Sequence, residues 1–526
     1  MPEPPAAIDL REQLLLSFEG RSLDDAAAER IAGRAAGVTL YRHLNVGSAA
    51  EVRALSESLQ RAAARLGRPA LLIGADHETG QLHALGADTT AFPGAMALGA
   101  VDDVALTERV GAAIGAELRA VGVNVVYAPV CDLATNPRNP VVGIRAFGSD
   151  PGAVARHVAA MVAGLQSAGV AATIKHFPGH GEPGADSHLG LPVVERSADG
   201  LRERELVPFE AGIEAGARLA MAGHLAVPAL TGRRDLPATL APEVLRTLLR
   251  GDLGFGGVTV SDALDMGAVA GGDGTGVDVA TALDAGTDLL LCGPDQDGRA
   301  RIEVALDAAI AAGRGGSREA AAARARITDL RAWLSRFDAP SAEVVGSPAH
   351  RALAAEVARR SIALIRDRDG LVPLRLPRDG RVLVIEPRPR NLTPADTTSS
   401  LEPGGLARAL AGRWPGVEGH VITAGVAKAE IAALREAALA ADLIVLGTVD
   451  APGDPSLVAL ARALVATGQP TLAVALRAPW DADAYPEVGT VIATYGIQTP
   501  SLDALAAGLA GDTPISGRCP VPLGSA

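Results

Sequence analysis

Between residues 38 and 292, short aliphatic and β-branched runs alternate with longer stretches whose apolar positions recur every three to four residues. The first pattern fits strands covered on both faces, the second amphipathic helices. Strands are predicted at VTLY (38–41), LLIGAD (71–76), VNVVYAPV (123–130), ATIKHF (172–177), LAMAGH (219–224), VTVSD (258–262) and DLLLC (288–292). Between them, EVRALSESLQRAAARLG, TERVGAAIGAELRAVG and DPGAVARHVAAMVAGLQSAG carry helical spacing and end on glycine, a residue suited to helix C-caps. This alternation predicts parallel strands joined by crossover helices.

Ionisable residues stand at the downstream ends of several of these strands: Asp76, Asp132, Lys175 with His176, His224 and Asp262. In a (β/α)8 barrel those ends converge on one face, where active sites are built, whereas an open doubly wound sheet gathers ligands at a single switch point. Five contributing strands favour the barrel.

Past residue 300 an Ala/Arg-rich helical stretch reaches Phe337, and DAPSAEVVGSPAH after it has the Pro, Ser and Gly content of a linker. Further strands are predicted at SIALIRD, RVLVIEP, DLIVLGTV, TLAVALRA and TVIATYG, with helices near 403–413, 427–440, 455–467 and 501–510. The expected organisation is a (β/α)8 TIM-type barrel over 1–338, a linker over 339–354, and a smaller three-layer α/β/α sandwich over 355–526. The glycine-rich AGGDGTG at 270–276 lacks the GK[ST] of a phosphate loop and reads as a plain loop.

A chain of 526 residues is long enough for such a pair of domains, and 48% hydrophobic with 21% charged residues suits a globular protein. The net charge of −13 disfavours nucleic acid, which selects clustered cations. No apolar run of membrane-spanning length and no secretory-type N-terminus is visible, so no membrane partner and a cytoplasmic address are expected. Three widely spaced cysteines, Cys131, Cys292 and Cys519, imply neither a disulfide framework nor a CxxC metal site. Nothing in the composition fixes an oligomeric state.

Eight of the ten histidines precede residue 225, and His176, His180 and His188 fall within the single segment KHFPGHGEPGADSHLGLP. Its Gly and Pro content makes it a loop leaving a strand, where catalytic groups are displayed on a rigid scaffold. The spacing matches no HExxH pair, so no metal is assigned. Asp186 and His188 lie two apart, close enough for the carboxylate to orient the ring and leave its other nitrogen for proton transfer. Lys175 is one of only two lysines in a chain that otherwise uses arginine, consistent with a need for a compact ammonium at that strand end. Asp262 closes the buried-looking run GGVTVSD, where a charge is costly unless paired or used. Two strand-end carboxylates beside a histidine loop suit glycoside hydrolysis. They would equally serve a metal-dependent aldolase or amidohydrolase, and the residue types alone leave that open.

Several motifs together resemble glycoside hydrolase family 3, specifically its β-N-acetylglucosaminidase branch: GADHETG, NPVVGIRAFGSDP, KHFPGHGEPGADSHLGLP, VSDALDM, SIALIRDRDGLVPL and YGIQTPSLDALAAGLAG. The resemblance implies a retaining exo-β-N-acetylglucosaminidase without a cofactor, acting on a small carbohydrate. It implies Asp262 as nucleophile, His188 partnered by Asp186 as general acid/base, and Asp76, Arg145, Lys175 and His176 as sugar contacts. Two positions depart from the branch: Ala84 stands where a substrate-binding arginine is usual, and Ala263 where a second Asp is frequent.

Aromatic residues make up only 3% of the chain and no tryptophan precedes Trp333, so stacking platforms for a long polysaccharide are lacking. Exo action on short cell-wall or chitin-derived sugars is therefore expected. Other readings remain: a family 3 β-glucosidase or β-xylosidase with a carboxylic acid as proton donor, a phosphorylase in which phosphate resolves the intermediate, and an inactive sugar-binding protein.

Overall fold

The computed structural model describes residues 9–184, 190–266, 279–377, 379–394 and 396–524. Eight short strands lie in its first part: β1 (Leu14–Leu16), β2 (Gly37–Leu40), β3 (Leu72–Ala75), β4 (Val125–Val126), β5 (Ala171–Phe177), β6 (Leu219–Ala222), β7 (Val258–Ser261) and β8 (Leu290–Leu291). They pair in parallel in the order β7-β6-β5-β4-β3-β2-β1-β8. A parallel bridge between Val260 and Leu289, with the Ser261 N–H donating to the Leu289 carbonyl at 3.0 Å, brings the two ends together. This is the (β/α)8 arrangement. All seven strands expected from the sequence are present. The eighth, β1, is three leucines entered from a short 3-10 helix at Leu10–Gln13, too brief to give a periodicity of its own.

Strand residues alternate between two cores, as the pleat requires. Along β6, Leu219 and Met221 join the barrel interior with Leu72 and Val258, while Ala220 and Ala222 face the helices with Ile73 and Ile174. Gly74 is demanded by packing rather than by a turn. A Cβ there would strike the hydroxyl of Tyr127, which is fully buried and bonded to Thr39 at 2.7 Å.

The second sheet contains β9 (Ala363–Asp367), β10 (Val382–Pro387), β11 (Val417–Ile422), β12 (Leu443–Thr448), β13 (Thr471–Ala475) and β14 (Thr490–Ala493), in the order β11-β10-β12-β13-β14-β9. Only β9 runs antiparallel, against β14. Val382 and Val384 pack on one face with Leu406 and Leu505, and Leu383 and Ile385 on the other with Leu434 and Leu460. Helices therefore cover both faces and make the unit a three-layer sandwich. The sequence did not announce β11, because VEGHVI is an edge strand with mostly half-exposed or exposed residues and hence no apolar run.

Residues 339–354, read as a linker, hold the 3-10 turn Ala342–Val344 and the first residues of a helix, Pro348–Ser361. The Ser347 hydroxyl caps that helix by accepting the His350 N–H at 3.3 Å, and Pro348 takes its first turn, so the turn-forming letters here also mark a helix start. Leu353, Ala354 and Val357 belong to the same apolar cluster as the barrel helices, as do Ala475, Trp480 and Tyr495 from the second sheet's unit. Among the described residues no helix is long and apolar enough to cross a membrane.

Candidate active site

The carboxyl ends of the barrel strands open into a cavity of about 930 Å³, within the range of ligand pockets. Asp76 follows β3, Lys175 and His176 lie on β5, and Asp262 follows β7. All four line the cavity together with Arg145, His180, Asp265 and Tyr41. Five of the seven residues named from sequence thus meet in one place. The other two, Asp186 and His188, lie outside the described residues.

At the cavity floor two cations and two carboxylates are interlocked. The Lys175 ammonium lies 2.6 Å from Asp76 and 2.6 Å from Glu78. Arg145 donates from Nε at 2.9 Å and from Nη2 at 2.8 Å to the two oxygens of Glu78, the bidentate geometry that only a guanidinium provides. Lys175 and Arg145 are 1% and 5% exposed, so this pairing is what makes their charges tolerable. Burial alone would raise the Glu78 pKa, yet Arg145 and Lys175 outweigh it and hold the carboxyl at about 2. Burial likewise works to lower the Lys175 pKa, and Asp76 and Glu78 reverse the sign. Asp76 keeps about a third of its side chain exposed and so can accept from a ligand hydroxyl.

Asp132 stands behind this group. Its Oδ2 meets His176 Nδ1 at 2.7 Å, and its Oδ1 accepts the backbone N–H of His180 at 2.7 Å. Burial raises its pKa, but the two histidines bring it below the usual carboxylate range. Asp132 thereby orients the His176 ring and pins the start of the histidine loop. His180 is 1% exposed and lines the cavity, with its pKa lowered by burial. Gly181, next in the loop, is needed because a Cβ would overlap the Leu133 backbone.

Asp262 is half-buried, and its Oδ1 accepts the Ala263 N–H at 2.9 Å. His224, at the end of β6, is completely buried. Its ring meets Thr239 Oγ1 at 2.8 Å and the Ala263 carbonyl at 3.0 Å, which braces the backbone carrying Asp262. It positions the backbone that carries Asp262. Asp265 faces the cavity, its pKa raised by burial, and it anchors the Asp295 N–H at 2.9 Å.

The sequence reading missed Glu78, although its place two residues after Asp76 and on the same motif was a usable signal. It also missed Asn391, Thr397 and Ser399, which reach the cavity from the second unit. Nothing local could reveal them. Their segment is held by Gln81 of the barrel, whose carbonyl accepts Thr397 N–H at 2.9 Å and its hydroxyl at 2.7 Å. Arg477, after β13, bonds Asp396 at 2.7 Å and the Gln81 side chain. Gln498 donates to the Gly80 carbonyl at 2.7 Å, and the Tyr495 carbonyl accepts the Gly94 N–H at 3.0 Å. The YGIQTP motif is thus a clasp on the GADHETG loop.

Among the described residues no cluster of three or more His, Cys, Asp or Glu side chains is arranged to hold a metal. The arrangement offers a half-buried carboxylate beside a set of fixed hydrogen-bonding groups, which suits polyhydroxylated ligands.

Residues 10–330 match the family described as Glycosyl hydrolase family 3 N terminal domain. Over 356 residues the chain is 33% identical to Beta-hexosaminidase A of Pseudoalteromonas piscicida, a match covering 63% of this chain and 59% of that relative, so the chain spans less than two thirds of it. It is 30% identical over 528 residues to the Beta-N-acetylglucosaminidase/beta-glucosidase of Cellulomonas fimi, covering 92% of this chain and 89% of the relative. A solved glycoside hydrolase family 3 beta-N-acetylglucosaminidase from Paenibacillus sp. str. FPU-7 superposes with a TM-score of 0.90 at 32% identity, over 98% of each chain.

Proposed function

The chain belongs to glycosyl hydrolase family 3, a family of glycoside hydrolases, and on that premise we propose that it is a retaining exo-β-N-acetylglucosaminidase acting on short cell-wall or chitin-derived saccharides. In this mechanism Asp262 attacks the anomeric carbon and forms a glycosyl-enzyme, while His188, oriented by Asp186, protonates the departing oxygen. The same imidazole then takes a proton from water as the ester is resolved. Asp76, Lys175, Arg145 and His176 hold the terminal sugar.

The observation that carries the proposal is the convergence of Asp262 with the Asp76–Lys175–Glu78–Arg145 network on one cavity. A nucleophilic carboxylate needs neighbours that bind hydroxyls without taking over its charge. Here the two buried cations are already committed to Glu78 and Asp76. Exo action is supported by the cavity's walls, which come from both the barrel and the segment around Asn391 and Ser399. Such an enclosure fits a chain end better than the middle of a polymer.

Comparison of nitrophenyl β-N-acetylglucosaminide with the β-glucoside tests the sugar. At least about tenfold higher kcat/KM is expected for the acetamido substrate, a difference of roughly 1.4 kcal/mol in transition-state binding. The C. fimi relative carries both activities in its name, so equal rates on the two substrates would replace the proposal with a broad β-glycosidase. Internal cleavage of insoluble chitin would sink the exo assignment, and sugar 1-phosphate among the products would make the protein a phosphorylase.

The second unit is expected to matter for turnover. Replacing Arg477 by methionine leaves Asp396 buried without its guanidinium and frees the segment that carries Thr397. A loss of about tenfold or more in kcat/KM, with a lower melting temperature, is the expected result. Unchanged kinetics would show that this segment only packs against the barrel.

A further inference from the structure

Arg42 is a cavity-wall cation that has no anionic partner among the described residues. It follows β2 and lines the cavity beside Tyr41. Its Nη1 donates to the His83 carbonyl at 2.8 Å, and among the described residues no carboxylate forms an ion pair with it. Lys175 and Arg145, which line the same cavity, are both tied to carboxylates. Arg42 is also half-buried, and burial lowers its pKa, so the charge sits there at a cost that water does not fully relieve.

Its position is fixed. The Asn45 side chain accepts the Tyr41 N–H at 3.0 Å and donates to the Phe18 carbonyl at 2.9 Å, which locks the turn that delivers Arg42. The carbonyl that Arg42 holds belongs to the residue just before Ala84, and Ala84 itself lines the cavity with a side chain too short to reach a ligand. His83 does not take over that task. Its ring lies tilted against His77, with centroids 4.6 Å apart, and bonds Thr89 at 2.9 Å.

We propose that Arg42 is a specificity-determining residue of the sugar site, donating its remaining N–H groups to hydroxyls of the terminal sugar above Ala84. This rests on the glycosidase reading given above. A neutral polyol is preferred to an anion because, among the described residues, four lining carboxylates, Asp76, Asp262, Asp265 and Asp396, balance four lining cations, Arg21, Arg42, Arg145 and Lys175. The wall has no net positive field to gather an acid. A planar guanidinium matches a vicinal pair of hydroxyls in the way that it matches a carboxylate.

The test uses the full-length protein with Arg42→Ala, Arg42→Lys and the double variant Arg42→Ala/Ala84→Arg. On nitrophenyl β-N-acetylglucosaminide, Arg42→Ala is expected to lower kcat/KM by about 30-fold, chiefly through KM, as for loss of charge-assisted hydrogen bonds to bound substrate. The double variant, which supplies a guanidinium from one residue beyond the same carbonyl, is expected to recover at least about tenfold of that loss. Arg42→Lys, which can keep the bond to His83, is expected to retain part of the activity and carries the test if the alanine variant does not fold. Calorimetric binding of N-acetylglucosamine to each variant reads the contact without chemistry. A wild type that neither binds nor cleaves the sugar sinks the glycosidase reading. A wild type that does both, with the Arg42 variants within about twofold of it, overturns the role given to Arg42. A loss seen only with substrates bearing an anionic aglycone would overturn it as well.

Discussion

Replacing Asp262 by alanine is expected to lower kcat by at least about 10⁴-fold while leaving the fold intact, a loss of roughly 5.5 kcal/mol in transition-state stabilisation. The carboxylate has a side chain only half-buried at the cavity wall, and its backbone is braced from behind by His224 and by the Ala222 carbonyl, which accepts the Asp262 N–H at 3.0 Å. Removing the carboxylate therefore takes away a reacting group without opening the core. A 5-fluoro N-acetylglucosaminyl donor with a good leaving group keeps the acetamido group and slows the second displacement more than the first. It should label the wild type once per chain and leave the variant unlabelled. Peptide mapping that placed the label elsewhere than Asp262 would overturn the double-displacement assignment, and wild-type turnover in the variant would do the same. Azide rescue of the variant, giving a sugar azide of inverted configuration, would be the corresponding positive result.

The second large effect is expected at Glu78, and it is one of stability before it is one of catalysis. Glu78→Ala strips Arg145 of its carboxylate partner and leaves Lys175 with Asp76 alone. Breaking a buried ionic network on one side costs about 3–5 kcal/mol, because the partner charges stay desolvated. A fall in melting temperature of roughly 3–7 °C follows for a unit of this size. Activity should fall too, since Lys175 would move with its remaining partner. The same carboxylate gives the wild type an acid limit whose sign is definite. The folded pKa of Glu78, at about 2, lies below its ordinary value of 4.5, so its contribution is complete above the unfolded value and is lost as pH falls from there toward the folded one. Melting curves between pH 5 and pH 2.5 should therefore show the wild type losing stability faster than Glu78→Gln. Parallel pH profiles for the two proteins would refute this account of the network.

How much of this was legible beforehand depended on whether a signal was local. The barrel could be read because its strands are apolar runs, several of them followed by an ionisable residue, and that pattern repeats with helices between. β1 and β11 escaped for opposite reasons: one is too short to show a period, the other lies at an exposed edge where the pattern is diluted. Asp76, Lys175, His176 and Asp262 were found because a charge at the end of a buried strand is chemically conspicuous. Glu78 was equally accessible by position but carried no such mark, since its motif reads as a loop. His224 shows another outcome, a strand-end polar residue whose ring braces the backbone carrying Asp262.

By itself the sequence determined the architecture and the family. Hydrophobic period is a property of neighbouring residues, and the motifs are contiguous strings. What only the tertiary structure decided was how charges separated by tens or hundreds of residues are shared. Lys175 meets Asp76 across 99 positions, Arg145 meets Glu78 across 67, and Arg477 reaches Gln81 across 396. Ion pairing depends on distance and burial, which chain order does not encode. The same reason explains Arg42, an ordinary arginine in the sequence, which becomes distinctive because, among the described residues, the fold gives carboxylates to Lys175 and Arg145 and none to it.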